Sequence, residues 1–209
     1  MFMEQTIRKT KEELVQGGLK TAMGYGDYRQ MVAKLALEGK STGPVQSEEL
    51  VNYTRLNDQR MKRLDKTIKI DAVSEAKIKA IDKKITWLVL TESWCGDAAQ
   101  TLPVMNKMAV LNRNISLRLL LRDENPALME QFLTNGAMAI PKLISIADTT
   151  GKVIGEWGSR PSIAKGMVQD YKHTHGKLTA EFKQDLQLWY NKDKGQNTVS
   201  DLLSLLSLE

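Results

Sequence analysis

Ile85-Thr86-Trp87-Leu88-Val89-Leu90 runs without a break into Thr91-Glu92-Ser93-Trp94-Cys95-Gly96-Asp97-Ala98, and the reading of this stretch decides the fold. Six β-prone residues, five of them apolar, read as a short strand. The small and polar residues after them read as a tight loop. Asp97 and Ala98 then open a helix that continues through Leu102, Met105, Met108 and Leu111, with Pro103 inside it as an expected kink. Cys95 is the only cysteine of the 209 residues, so no disulfide can form within the chain. A disulfide-stapled secreted fold is thereby disfavoured and a reducing compartment suits the chain.

Downstream, Ile115 to Leu121 reads as a second strand, followed by a break at Asp123-Glu124-Asn125-Pro126 and a short helix over Ala127 to Leu133. Lys142 to Ala147 and Lys152 to Trp157 flank Asp148-Thr149-Thr150-Gly151, a turn composition that makes them a hairpin. Upstream, Tyr28, Met31, Val32, Leu35 and Leu37 stand near helical spacing, and Gly39 to Pro44 breaks the pattern. Ser47-Glu48-Glu49-Leu50 is a start signal for a longer helix. Its expected buried stripe is Leu50, Tyr53, Leu56, the stem of Arg60, Met61 and Leu64, with Lys62, Arg63, Lys66 and Lys69 on a solvated face. A further helix is expected over Ser74 to Lys83. Near the C-terminus, Leu178, Phe182, Leu186, Trp189 and Tyr190 keep helical spacing, and Val199 to Leu208 forms a leucine-dense second helix expected to pack on the N-terminal helices across one side of the sheet. The chain therefore divides into a helical N-terminal extension (1–84), an α/β domain (85–172) and a C-terminal helical addition (173–209).

Several function classes are set aside by composition. The net charge of +5 comes from 30 basic residues interspersed with 25 acidic ones, and the basic stretches Arg60 to Lys69 and Lys77 to Lys84 lack interleaved aromatics, so nucleic acid is not an expected partner. The N-terminus MFMEQTIRKTKEEL carries charges where a leader would be apolar, and no segment approaches the roughly 18 apolar residues of a membrane span. A cytoplasmic protein with no membrane contact is expected. His173 and His175 are the only histidines and lack a third ligand at a recognisable spacing, so no metal is expected. Gly151-Lys152 and Gly155 to Gly158 fall on a hairpin rather than between strand and helix, so neither a nucleotide nor any other cofactor is expected.

The order β, α, β, α, β, β, helix resembles a thioredoxin fold, and four landmarks agree in order. Trp94-Cys95-Gly96 precedes a helix with a proline eight residues after the cysteine; Asp123-x-Asn125-Pro126 follows the next strand; Ile140-Pro141 opens the hairpin; Gly158 closes it. The resemblance spans roughly Lys84 to Tyr171 and is to thioredoxin-like proteins with helical N-terminal extensions, common in some bacteria. It implies a central mixed sheet flanked by helices, with helical additions at both ends. It implies that Cys95 is a nucleophile at a helix N-terminus, where the dipole and free amides favour thiolate. It implies a cis peptide bond before Pro141 and a backbone at Ile140 that pairs with an extended substrate. Trp94 corresponds to the aromatic that shields the site, with a packing residue as the alternative.

Three departures from the dithiol pattern bear on activity. Ala98 stands where the resolving cysteine belongs, so a mixed disulfide on Cys95 must be cleared by an external thiol. Asp97 places a carboxylate next to Cys95, which raises the thiol pKa; a helix-capping role is the expected reading and proton transfer the alternative. Val89 occupies the strand position where dithiol thioredoxins bury an acid, while Glu92 is expected to face solvent or a basic partner. Lys142 is read as a solvent-facing strand residue, or as a cation that offsets Asp97. Monothiol thiol–disulfide exchange, with a protein or a low-molecular-weight thiol or disulfide as partner, is the first functional reading. A non-redox peptide- or protein-binding module is the second. A thiol peroxidase is the third, for which Thr91 alone does not supply the usual constellation. Either a monomer or a homodimer is compatible with the chain.

Overall fold

The computed structural model describes residues 9–206. The ends of the chain, positions 1–8, on which most of the expectation of no leader rests, and the last residues of the expected Val199 to Leu208 helix, lie outside the described residues. Thirteen elements follow one another: α1 (Lys11–Thr21), α2 (Tyr25–Glu38), α3 (Glu48–Thr67), α4 (Ala72–Lys79), β1 (Ile85–Thr91), α5 (Gly96–Leu111), β2 (Ile115–Leu121), α6 (Pro126–Glu130), β3 (Lys142–Ala147), β4 (Lys152–Gly158), α7 (Ser162–His175), α8 (Ala180–Asp193) and α9 (Gln196–Leu206).

β1 is central because it is apolar on both faces: Ile85, Trp87, Leu88, Val89 and Leu90 are all buried, which only helices on both sides of the sheet can achieve. The strand order is β2-β1-β3-β4, with β1 parallel to β2 and antiparallel to β3, and β3 antiparallel to β4. This is the mixed sheet flanked by helices that the sequence implies. The hairpin follows its turn residues, Gly151 taking the left-handed conformation (φ 68°). α5 carries Pro103 in its interior and packs Leu102, Val104, Met105 and Met108 into the core.

α1 is an element that apolar spacing does not reveal. It starts at a capping box, in which Thr10 Oγ1 accepts from the Glu13 amide and the Glu13 carboxylate accepts from the Thr10 amide. Val15 and Gly18 are its buried residues; a Cβ on Gly18 would stand 3.0 Å from methyls of Leu120 and Leu128, so glycine lets α1 approach β2 and α6 without displacing those side chains. Past α1, Met23 exchanges two backbone hydrogen bonds with Leu119, at 2.9 and 2.8 Å, on the outer side of β2. Arg118 donates to the Ala22 carbonyl beside them.

The buried face of α3 is rotated from the apolar stripe expected for it. Thr54, Asn57, Met61 and Leu64 are the buried residues, whereas Leu56 is 41% exposed. Two polar side chains point inward because their hydrogen-bond partners are on the loop after β1, as described below.

At the other end, α9 lies against α4, α5, α7 and β4 and sends Val199 and Leu202 into the main core. Its Asp201 accepts from the Trp157 indole at 3.2 Å and from the Ser162 amide at 2.7 Å, tying hairpin, α7 and α9 together. α7 and α8 form a smaller apolar cluster of their own, Ala164, Val168, Phe182, Leu186 and Tyr190, with the Tyr171 and Phe182 rings stacked at 4.1 Å. Because Leu202 is fully buried, Leu202→Ala is expected to destabilise the whole protein by about 2–5 kcal/mol. A urea unfolding curve in which sheet and helix signals shift together is the check; an unchanged midpoint would mean that α9 is not part of the core.

Candidate functional site

The loop after β1 is fixed by a closed set of hydrogen bonds around Ser93. Its hydroxyl accepts from the Thr42 amide at 3.0 Å and from the Thr42 hydroxyl at 3.2 Å. The Thr54 hydroxyl donates to the Leu50 carbonyl, so Ser93 Oγ is the donor in the 2.8 Å contact with Thr54 Oγ1. The Ser93 amide donates to Thr42 Oγ1 at 2.9 Å, and its carbonyl accepts from Asn57 Nδ2 at 2.9 Å. Every polar atom of this buried serine is thereby paired, and the α2–α3 connection and α3 hold the segment that presents Cys95.

Cys95 is the N-cap of α5 and only 7% exposed. Its Sγ accepts from the Ala98 amide at 3.4 Å and donates to the Ile140 carbonyl at 3.4 Å. The Ile140–Pro141 peptide bond is cis and both residues are buried. Gly96 and Asp97 form the first turn of α5, and Ala98 follows, 1% exposed. Trp94 is half-buried with the Arg122 guanidinium 5.0 Å from its ring; Arg122 itself is paired with Asp123 at 2.7 Å.

Asp97 is not a cap, as the helix-start reading expected. The capping atom is Cys95 Sγ, while the Asp97 carboxylate binds Arg160 at 2.6 Å through one oxygen and accepts from the Tyr190 hydroxyl at 2.9 Å through the other. Its side chain is 12% exposed. Burial pushes the Cys95 thiol up to about 12, and the Asp97 charge adds to this; the Ala98 and Asp97 amides and Arg160 act the other way. Burial also raises the Asp97 carboxyl against the pull of Arg160 and Tyr190, and the Tyr190 phenol lies well above its ordinary value through burial and the facing carboxylate. The resting site is a protonated thiol beside a buried ion pair.

Two further sequence expectations are corrected. Glu92 does not face solvent: it is fully buried, with one carboxylate oxygen accepting from the Asp123 amide at 2.8 Å, and burial raises its pKa. Lys142 is not solvent-facing and does not offset Asp97: it is 6% exposed and its ammonium pairs with Glu156 at 2.8 Å. Arg160 is the cation that meets Asp97. It and Tyr190 escaped sequence reasoning because nothing local in Ser159-Arg160-Pro161 or in the α8 pattern points to Cys95. Arg60, expected to contribute only its stem, brings its guanidinium to the site: Nη1 lies 3.6 Å from where a Gly96 Cβ would be. His173 and His175 lie in the last turn of α7, the His175 ring 4.3 Å from Tyr171. A cavity of about 570 Å³ between α4 and α9 is lined by none of the residues around Cys95.

Residues 43–172 match the family model described as thioredoxin. The chain belongs to the thioredoxin family. No curated protein matches it. Among solved structures, an HIV epitope-scaffold aligns with a TM-score of 0.56 at 16% identity, covering 88% of this chain and 98% of the scaffold. A protein of unknown function from Pseudomonas aeruginosa aligns with a TM-score of 0.53, also at 16% identity and covering 88% of this chain and 98% of its own. At that identity both describe the fold of this thioredoxin-family protein and not its activity. The family match begins at Gly43, within the helical region that precedes β1, so it includes α3. Among the described residues no helix is long and apolar enough to cross a membrane.

Proposed function

We propose that this thioredoxin-family protein carries out monothiol thiol–disulfide exchange through Cys95, with the thiol held protonated until a substrate arrives. The observation that carries the reading is the position of the sulfur. It caps α5 and lies 3.4 Å from the Ile140 carbonyl, next to Pro141.

In the resting state the S–H proton is held by the Ile140 carbonyl. An extended substrate whose backbone N–H donates to that carbonyl displaces the S–H bond, and the proton leaves to solvent. The thiolate keeps the Ala98 amide and the helix N-terminus. It attacks one sulfur of a disulfide RS–SR′, forming Cys95–S–S–R and expelling R′S⁻, which takes up a proton. Ala98 offers no second thiol, so an external thiol R″SH attacks the mixed disulfide, giving R–S–S–R″ and the Cys95 thiol. In this scheme Trp94, Gly96 and Asp97 border the sulfur and Ile140 and Pro141 receive the substrate backbone. No cofactor takes part, and the partners are a protein or a low-molecular-weight thiol or disulfide.

Exposure of native protein to bis(2-hydroxyethyl) disulfide tests this. A single adduct that is absent in Cys95→Ser and removed by reduced glutathione is the expected result. If urea-unfolded protein reacts and native protein does not, exchange is excluded. The 7% exposure and raised pKa of Cys95 would then favour the second reading, a module that binds extended chains beside Ile140 and Pro141.

A further inference from the structure

Arg60 is an exception among the partly buried arginines. Arg29 holds Asp58 and Asp65, Arg122 holds Asp123, and Arg160 holds Asp97. Arg118 donates to a main-chain carbonyl. Arg60 donates only to the neutral Asn57 Oδ1, at 3.1 Å, and no carboxylate among the described residues comes within 4.0 Å of it. Burial pulls its pKa down and the charge of Arg63 adds to this, while Asp97, acting through space and without a direct contact, opposes it.

Its position gives this charge, which holds no carboxylate directly, a use. Gly96 follows Cys95, and Arg60 Nη1 would be in van der Waals contact, at 3.6 Å, with a Cβ placed at 96. The Asp97 carboxylate cannot neutralise it at short range, because one oxygen is taken by Arg160 and the other by Tyr190. Beside the residue that follows Cys95 there is thus a forked donor that holds no carboxylate directly. Guanidinium forks bind carboxylates through charge-assisted hydrogen bonds, and partial desolvation strengthens the attraction.

We infer that Arg60 is a specificity residue of the Cys95 site that receives a carboxylate carried close to the disulfide of a small anionic substrate. The inference rests on the exchange reading and adds to it the charge of the substrate. A carboxylate a few bonds from the reacting sulfur meets Arg60 while that sulfur meets Cys95; a neutral disulfide gains nothing from it, and a cationic one is repelled.

The test compares mixed-disulfide formation with oxidised glutathione, bis(2-hydroxyethyl) disulfide and cystamine, which are anionic, neutral and cationic. Relative to a free model thiol, the native protein is expected to prefer oxidised glutathione over the neutral reagent by about tenfold at low salt, less at high salt, and to disfavour cystamine. Arg60→Gln should bring the ratio of the oxidised-glutathione rate to the neutral-reagent rate down to that of the model thiol, Arg60→Lys should keep part of the preference, and Lys62→Gln, on the same helix, should leave both the neutral rate and the preference unchanged. A preference that survives Arg60→Gln, or that is insensitive to salt in the native protein, overturns the role of Arg60 alone. Failure of all three reagents to react with native Cys95 overturns the exchange reading and this inference with it.

Discussion

At pH 7.5, Cys95 in the native protein is expected to react with a neutral disulfide about fiftyfold more slowly than an ordinary cysteine, and its rate is expected to climb almost tenfold per pH unit to about pH 11. The thiol lies near 12 against an unperturbed 9.0, so the thiolate fraction near neutrality is about a thousandfold lower. A more basic thiolate is intrinsically more nucleophilic, with a Brønsted slope of about 0.4–0.5, which returns about twentyfold of that loss. A rate that levels off below pH 8 would show a stabilised thiolate and defeat this account. Asp97→Asn should raise the rate at pH 7.5 by about tenfold, because the carboxylate is the second cause of the shift and Arg160 would be left to attract the thiolate. The same substitution should cost about 2–4 kcal/mol of stability, since Arg160 loses the partner it holds at 2.6 Å. The sign of the wild-type pH dependence follows as well. The folded-state thiol pKa is raised above the unfolded one, so this contribution to stability is complete below about 9 and is lost as pH rises toward about 12.

Ser93→Ala carries the second large effect. The hydroxyl accepts from the Thr42 amide and hydroxyl and donates to Thr54, all buried, so its loss leaves two donors and one acceptor without partners. A loss of about 2–4 kcal/mol is expected, read in a chain of this size as a fall in Tm on the order of 10 °C. Because Ser93 is two residues from Cys95, the variant should also bring forward native Cys95 reactivity at temperatures below global unfolding. A Tm within 2 °C of wild type, a threshold of about 0.5 kcal/mol, would refute the claim that this network holds the loop.

Legibility from the sequence followed the range of the interactions involved. β1 was readable because five apolar residues among six β-prone ones suit a strand covered on both faces, and the β3–β4 hairpin because Asp148 to Gly151 encode their turn locally. The family resemblance rested on the order of four such local landmarks. α1 escaped because Gly17-Gly18 interrupts its apolar spacing, although the Thr10 to Glu13 capping box was there to be read. The rotated face of α3 escaped for a different reason. Burial there is decided by Thr54 and Asn57 reaching Ser93, and a rule that looks only for apolar residues assigns those positions to solvent. Asp97 met the same obstacle: its partners Arg160 and Tyr190 arrive from α7's approach and from α8, and only the folded chain brings them to α5.

The two hydrogen bonds between Met23 and Leu119 have a consequence for self-association. β2 ends the sheet, and an outer strand with bare amides and carbonyls is a template for another molecule's strand. Met23, with Arg118 bound to the neighbouring carbonyl of Ala22, occupies part of that template from within the same chain. Removing the residues before Tyr25 would therefore do more than subtract α1: it would uncover the edge of β2 at Leu119 and turn the sheet toward intermolecular pairing.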